Sequence, residues 1–175
     1  MKDKSFFIKS YGCQMNEYDS EKISSLLLKD GYSNISDINK ADLIVFNTCN
    51  IREKAAQKVY SDIGRVTKKN NSKTIALVGC VAQAENDEIF KKNKDVDIVL
   101  GPQSYHLLPK MIDTHNEYQK KQINTDFIIN EKFDFVHEEK SPKGVSSYLT
   151  IQEGCDKFCA FCVVPFTRGP EYSRS

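Results

Sequence analysis

The residues best suited to chemistry are three cysteines near the end of the chain, Cys155, Cys159 and Cys162. They fall within eight residues, CDKFCAFC, at spacings of four and three, which suits one compact loop folded over a single object. Iron–sulfur clusters are held by cysteine thiolates, usually one for each iron, so three cysteines on a four-iron cluster leave one iron free to bind something else. The spacing therefore predicts an iron–sulfur site with one open iron.

Two other interpretations of this stretch are a zinc knuckle and a disulfide knot. Zinc prefers four ligands, and residues 163–175 contain neither cysteine nor histidine. Disulfides are rare in the cytosol, where thiols stay reduced and patterned cysteines more often bind metal or take part in chemistry. The cluster is the favoured interpretation.

The composition is that of an ordinary globular chain, with 175 residues, 39% of them hydrophobic and 28% charged, and a formal net charge of +1. No apolar run approaches the roughly 18 residues of a membrane helix. The start, MKDKSFFIKS, has an acidic residue and only three consecutive apolar ones, so it is no signal peptide. We therefore expect a cytoplasmic protein that does not bind membranes. A chain that binds nucleic acid without help from another domain is usually more basic. Most of the affinity for any RNA must therefore come from residues outside this chain.

Apolar runs alternate with amphipathic segments over residues 1–118. Near-continuous apolar strands alternating with helices are typical of a parallel sheet in a doubly wound α/β domain. The predicted strands are Ser5–Tyr11, Asp42–Phe46, Thr74–Val78 and Asp97–Leu100, and the predicted helices are a segment capped by Asn16 and stopped by Gly31, then Ile51–Lys69, Gln83–Lys92 and Ser104–Tyr118, with Pro109 weakening its first turns.

The chain changes character after residue 118. Residues 119–144 are interpreted as a connector with at most a hairpin's worth of strand, and residues 145–175 as the incomplete start of a second domain. A strand over Ser146–Ile151 is predicted to lead directly into the Cys155 loop.

The remaining cysteines, Cys13, Cys49 and Cys80, share one structural position, since each follows immediately after a predicted strand. The carboxyl ends of parallel strands all meet at one edge of the sheet, and ligands bind in the crevice there. A buried cysteine is also a common small apolar residue, but three such positions predict a second cluster site, again with three protein ligands and one open iron.

Both sets of cysteines lie in longer motifs that resemble those of the radical S-adenosylmethionine methylthiotransferases. Tyr11–Asn16 (YGCQMN), Asn47–Ala55 (NTCNIREKA) and Val78–Gln83 (VGCVAQ) are similar to the amino-terminal domain of that family. Gly154–Gly169 (GCDKFCAFCVVPFTRG) and Ser173–Arg174 are similar to the start of its catalytic domain. The NIREKA and VVPFTRG stretches are most similar to the branch that acts on tRNA, which installs a methylthio group on carbon 2 of N6-isopentenyladenosine next to the anticodon.

The resemblance implies roles for individual residues. Cys155, Cys159 and Cys162 would hold a [4Fe-4S] cluster that binds and reductively cleaves S-adenosylmethionine, and the resulting 5′-deoxyadenosyl radical would remove hydrogen from an unreactive aromatic carbon. The other three cysteines would hold an auxiliary [4Fe-4S] cluster that carries the sulfur, and a second S-adenosylmethionine would supply the methyl group. Phe161 would line the adenine site of the cofactor or, alternatively, pack in the core, and Gly154 and Gly169 would permit tight turns around the cluster.

The implied partners are a tRNA with an isopentenylated anticodon loop and an electron donor such as flavodoxin or ferredoxin, and we expect a monomer. Arg168 and Arg174 follow the cluster loop and are open to a role with substrate or cofactor. A basic stretch is interpreted first as a solvated helix face and second as a surface for RNA phosphates. It consists of Arg52, Lys54, Lys58, Arg65, Lys68 and Lys69.

The chain departs from the family in length. Family members continue through a barrel of further β/α units and end in a small RNA-binding domain. The expected architecture is thus a doubly wound parallel-sheet domain followed by the first strand and cluster loop of a truncated radical-SAM barrel, and we expect this chain alone to be inactive. Other functions consistent with the residues are methylthiolation of a ribosomal protein or another adenosine, a non-catalytic iron–sulfur module, and a zinc-binding interaction module.

Overall fold

The computed structural model describes residues 4–51, 53–69, 72–127 and 148–174. Strands and helices alternate along most of this length, as the apolar pattern predicts. The strands are β1 (Ser5–Tyr11), β2 (Ser33–Asn34), β3 (Leu43–Thr48), β4 (Thr74–Gly79), β5 (Ile98–Leu100), β6 (Gln122–Asn124), β7 (Gln152–Glu153) and β8 (Tyr172–Ser173). The helices are α1 (Gln14–Lys29), α2 (Glu53–Thr67), α3 (Cys80–Glu85), α4 (Glu88–Lys92), α5 (Leu108–Tyr118) and α6 (Val164–Arg168), with a 3₁₀ turn at Tyr105–Leu107.

Six strands form one parallel sheet in the order β2-β1-β3-β4-β5-β6. The strand β1 has β2 on one side and β3 on the other. The chain therefore runs from β1 to β2 on one side and then crosses back over β1 to reach β3. Such a reversal of strand order leaves a crevice at the carboxyl edge of the sheet, where doubly wound proteins bind ligands. In this sheet the strand order reverses between β1 and β3.

Both faces of the sheet are covered by helices, which confirms the predicted doubly wound architecture. Successive side chains of a strand point to opposite faces, and β3 is buried along its whole length. One face packs Val45 with Ile23 of α1 and Ile112 of α5. The other packs Phe46 with Ile63 of α2 and other buried apolar side chains. A strand buried on both faces reads as a continuous apolar run, which is why the sequence reveals it.

Helix boundaries follow local chemistry, with two corrections. The residue before the first turn of α1 is Cys13 and not Asn16; Asn16 lies inside the helix and is completely buried. The predicted helix over Gln83–Lys92 is two short helices, because Asn86 has a φ of +50° and interrupts the turn between them. Gly31, with a φ of +83°, follows α1 as predicted, and Pro109 lies in the first turn of α5, where its missing N–H costs no hydrogen bond.

The edge strands β2 and β6 were not predicted. β6 pairs with β5 in the sheet and lies within the stretch interpreted as a connector. The remainder of that stretch, from residue 128 onward, lies outside the described residues.

The predicted strand Ser146–Ile151 is wrong where it can be checked. Its first two residues lie outside the described part of the chain, and residues 148–151 are not in a strand. The strand is instead the two-residue β7, which begins directly after Ile151 and pairs antiparallel with β8. A lone strand leaves its backbone groups unsatisfied, and the chain supplies the partner itself by returning alongside after the cysteine loop.

The described helices include none that is long and apolar enough to cross a membrane.

Candidate functional site

The strand register brings Cys13, Cys49 and Cys80, here called the sheet-edge trio, to the carboxyl edge of the sheet. Tyr11 pairs with Thr48 across β1 and β3, and Thr48 pairs with Gly79 across β3 and β4. These paired residues form one row across the three strands. Each cysteine follows its strand's member of that row by one or two residues. Cys49 and Cys80 are buried and Cys13 is half-buried, and all three thiols are free. The predicted meeting of these strand ends at one edge of the sheet is confirmed by the register.

Two glycines allow this close approach. A Cβ atom placed on Gly12 would lie 2.5 Å from the Cβ of Cys49, which is closer than real Cβ contacts. Gly79 has a φ of +94°, and a Cβ there would lie 2.6 Å from the carbonyl oxygen of Thr48. The recurring Gly-Cys pair in two of the three motifs is the sequence signal for this requirement, since glycine alone accepts both the backbone angle and the contact.

A pair of buried asparagines contacts the thiol of Cys13 and holds the backbone next to Cys49, and sequence reasoning missed this role. Asn16 and Asn47 are both fully buried. The side-chain amide of Asn16 donates to Oδ1 of Asn47 at 3.0 Å and to the carbonyl of Thr48 at 3.1 Å, while that of Asn47 donates to the carbonyl of Asn16 at 2.7 Å. The Oδ1 atom of Asn16 lies 3.3 Å from Sγ of Cys13. Polar residues at the end of an apolar strand are the signal that points to such a network.

The environment of Cys80 joins the sheet edge to the end of the chain. Burial raises the pKa of the Cys80 thiol, while the charge of Arg168 and a hydrogen bond from it act in the opposite direction. Metals bind the thiolate and not the thiol. Burial is the larger effect, so the pKa of the Cys80 thiol stays above its usual value, and the buried guanidinium offsets part of that rise.

The second set of cysteines, here called the loop trio, lies in a loop with a compact backbone and accessible side chains. Its members are Cys155, Cys159 and Cys162. Cys155 and Cys162 are half-buried and Cys159 is exposed. The N–H of Cys162 donates to the carbonyl of Cys159 at 2.9 Å, so the last two thiols belong to one turn. The loop is therefore compact in backbone while its thiols remain accessible.

Gly154 and Gly169 close the base of this loop, as predicted. Their φ angles are +73° and +75°, a region that glycine adopts without strain. A Cβ on Gly154 would collide with the backbone carbonyl of Pro170. The N–H of Cys155 donates to the carbonyl of Gly169 at 3.1 Å, which ties the two ends of the loop together.

The aromatic residues of the loop face outward. Phe161 is 96% exposed, so it does not pack in the core of the described structure. Phe158 and Phe166 contact each other edge to face, with ring centroids 6.1 Å apart, and both are largely exposed. The core-packing alternative for Phe161 is excluded for this structure, and its predicted contact with adenine stays a prediction.

Neither trio closes around a single ion. Within residues 4–51, 53–69, 72–127 and 148–174, no three histidine, cysteine or acidic side chains lie close enough together to hold one metal ion. The ligands of an iron–sulfur cluster need not meet at one point, because each thiolate binds a different iron. Their sulfur atoms therefore lie farther apart than the ligands of a single ion. The donor chemistry fits a cluster: two sets of free thiols, one of them framed by fixed strand ends.

The two arginines that follow the loop trio have partners inside the chain. Arg168 is buried and contacts Asp19 through both terminal nitrogens, at 2.5 and 3.4 Å. Arg174 donates to the carbonyl of Thr150 at 2.8 Å and lies 3.5 Å from the hydroxyl of Tyr18. Arg168 is therefore enclosed within the fold, where its charge is paired with that of Asp19.

The basic stretch on α2 matches a solvated helix face where it is described. The four positions with described side chains, Lys58, Arg65, Lys68 and Lys69, are all exposed. Arg65 also pairs with Asp62 at 2.9 Å, one turn earlier. Arg52 lies outside the described residues.

A comparison with protein families decides where this chain belongs. The model of "Uncharacterized protein family UPF0004" matches residues 5–101, more than half of the chain. The chain belongs to the UPF0004 family. The matched range contains the whole sheet-edge trio and ends before the loop trio. The UPF0004 match therefore covers the parallel sheet from β1 to β5.

Curated relatives extend the similarity through both trios. A protein named tRNA-2-methylthio-N(6)-dimethylallyladenosine synthase from Rickettsia prowazekii (strain Madrid E) is 52% identical over 180 residues, which cover 98% of this chain and 40% of the relative. Proteins of the same name from Rickettsia typhi and from Rickettsia bellii are each 51% identical over the same shares. The chain thus spans about 40% of the length of these curated relatives.

Proposed function

We propose that this chain is the amino-terminal part of a tRNA methylthiotransferase that adds a methylthio group to carbon 2 of N6-isopentenyladenosine, which is the same nucleoside as N6-dimethylallyladenosine. The observation that carries the proposal is the pair of thiol trios, each one thiolate short of a closed four-iron cluster. The names of the relatives, at 52% and 51% identity over nearly the whole chain, supply the substrate class.

The sheet-edge trio is proposed to hold the auxiliary [4Fe-4S] cluster. Cys49 and Cys80 would bind from buried positions defined by strand register, and Cys13 from the position just before the first turn of α1. The Asn16–Asn47 pair holds the backbone around Cys13 and Cys49. Because these positions exist before any metal binds, little ordering free energy is lost on binding.

The loop trio is proposed to hold the [4Fe-4S] cluster that binds S-adenosylmethionine. When bound, that cluster would supply the electron that cleaves the cofactor, which is chemistry no amino-acid side chain provides. Gly154 and Gly169 hold the loop closed at its base, and Phe161 is proposed to contact the adenine ring from the exposed side. An external electron donor such as flavodoxin or ferredoxin, a monomeric state and a cytoplasmic location complete the proposal.

The test is the nucleoside profile of tRNA from cells in which the gene is disrupted. We expect mass spectrometry of digested tRNA to show loss of 2-methylthio-N6-isopentenyladenosine and accumulation of N6-isopentenyladenosine. Complementation with the gene carrying Cys49→Ala should leave the defect, and the same gene carrying Arg65→Gln should repair it. An unchanged nucleoside profile together with an altered ribosomal protein would instead assign the chain to the protein-modifying branch.

A further inference from the structure

The segment 148–174, which carries the loop trio, packs against one face of α1. Four residues of α1 contact it, and their spacing of three and four places them on one side of the helix. Met15 lies 3.7 Å from the hydroxyl of Thr150, and Lys22 lies 4.0 Å from a carboxylate oxygen of Glu153. The other two contacts, from Tyr18 and Asp19, are to Arg174 and Arg168. The adjoining face of α1, with Ile23 and Leu27, packs on the sheet.

The centre of this contact is a buried ion pair. Asp19 and Arg168 are both almost entirely enclosed. The Asp19 carboxylate also accepts a hydrogen bond from the hydroxyl of Tyr105 at 3.2 Å, and Glu153 lies 3.9 Å from the guanidinium. Gln103 donates to the carbonyl of Arg168 at 2.5 Å and so holds the backbone of α6 from the sheet side.

The same guanidinium reaches the sheet-edge trio. The guanidinium of Arg168 lies close enough to the thiol of Cys80, the first residue of α3, for its charge to act on that sulfur, and α6 packs directly on α3. Arg168 is separated from Cys162 by five residues and Asp19 is separated from Cys13 by five. One ion pair therefore joins the backbone segments that carry the two sets of thiols.

We propose that Asp19 and Arg168 are positioning residues that hold the loop trio in a fixed place against the sheet-edge trio. The inference rests on the proposed function for what the thiols bind, while the contact itself is a property of the metal-free chain. Removing one partner of a buried pair leaves an uncompensated buried charge, so the segment 148–174 should detach from α1. Removing both partners removes the unpaired charge at their contact, and Glu153 keeps Lys22 as a partner at 4.0 Å, so the two changes together should cost no more than the worse of the two alone.

The test is amide hydrogen exchange of the metal-free 175-residue chain, read separately for residues 152–174 and for the central strands β3 and β4. We expect Asp19→Asn and Arg168→Gln each to accelerate exchange in residues 152–174 on the order of a hundredfold while β3 and β4 stay protected. The double variant should exchange no faster than the faster single variant. Arg168→Lys, which keeps the charge, should recover part of the protection.

Arg65→Gln is the matched control, because Arg65 also pairs with an aspartate but lies on the exposed side of α2; it should leave exchange in residues 152–174 within about twofold of the wild type. If a charge variant loses protection in β3 and β4 as well, Gln103→Ala tests the same attachment without burying a charge, and it too should accelerate exchange in residues 152–174. Unchanged exchange in that segment, or effects of the two single changes that simply add in the double variant, would overturn the proposal. Because no metal is present, this result is independent of the tRNA profile that tests the proposed function.

Discussion

The Nη2 atom of Arg168 lies 2.5 Å from Oδ2 of Asp19, although the two residues are 149 positions apart in the chain. The pair is buried at the contact between α1 and the segment that carries the loop trio. Long-range pairs of this kind determine the relative position of parts that the chain does not connect directly. In this protein, those parts are two sets of three thiols.

The two trios should differ in how they hold iron. After anaerobic reconstitution of the 175-residue chain, we expect Cys49→Ala to lose most of the bound iron and sulfide and Cys159→Ala to lose little. Cys49 is buried at a position set by strand register, whereas Cys159 is exposed on a loop, and a preformed site loses less free energy on ordering. Iron and sulfide analysis measures the difference, and a turnover assay should detect no 5′-deoxyadenosine. Equal losses in the two variants would contradict this assignment of the more stable site.

Replacement of Gly79 should destabilise the sheet edge. Gly79→Ala forces a side chain into a left-handed backbone region and against the Thr48 carbonyl at 2.6 Å, so we expect it to lower the free energy of unfolding by about 3 kcal/mol. Gly64→Ala is the control, since a Cβ there meets no atom within 4 Å and Gly64 lies inside α2. That change should raise the free energy of unfolding by about 0.5–1 kcal/mol. Urea denaturation measures both, and a Gly79→Ala variant as stable as the wild type would show that the strand ends can move apart.

Acid should weaken the fold through Asp62. This buried carboxylate accepts hydrogen bonds from Tyr11 at 2.6 Å and from Lys9 at 2.7 Å. Burial alone would raise its pKa, but those hydrogen bonds and the charges of Lys9 and Arg65 outweigh it and hold the pKa below its usual value. A carboxyl group with a lowered pKa in the folded state stabilises the fold above its unfolded pKa of about 3.9, and the contribution is lost as the pH falls through the folded value.

The measurement is the difference in unfolding free energy between the wild type and Asp62→Asn. We expect about 2 kcal/mol at pH 7 and a smaller difference near pH 3, because the carboxyl group of the unfolded chain is protonated there and part of the linked stabilisation is lost. Asp113→Asn is the control, because Asp113 is exposed and lies 3.5 Å from Lys4, and it should change stability little at either pH. A difference for Asp62→Asn that is the same at both pH values would exclude the proposed titration.

The long, apolar parts of the fold were predictable from sequence and the short, polar parts were not. The strand β3 is a six-residue run buried on both faces, and an apolar stretch of this short length favours a strand over a helix. The strands Ser33–Asn34 and Gln122–Asn124 lie at the edges of the sheet, where solvent removes the demand for apolar residues. Two or three residues are also too few to show a period.

The candidate site shows the same division. The sheet-edge trio was predictable because strand ends in a parallel sheet share one edge, and the Gly-Cys pairs mark it. The pairing of Asp19 with Arg168 was not predictable, because nothing local to either residue indicates a partner so far away. The predicted strand over Ser146–Ile151 failed for a related reason: the partner of β7 is β8, which lies beyond the cysteine loop.

The strand order has a consequence for the time course of synthesis. The strands β1, β3 and β4 are adjacent in the sheet and consecutive in the chain apart from the short edge strand β2, so the sheet-edge trio is complete once Cys80 has been made. Ribosomes add about 5–20 residues per second, so Cys155 follows roughly 4–15 s later. We expect the nascent chain to fold its sheet and present the first set of thiols to cellular iron before the second set exists. The later segment would then dock on a partner that is already built.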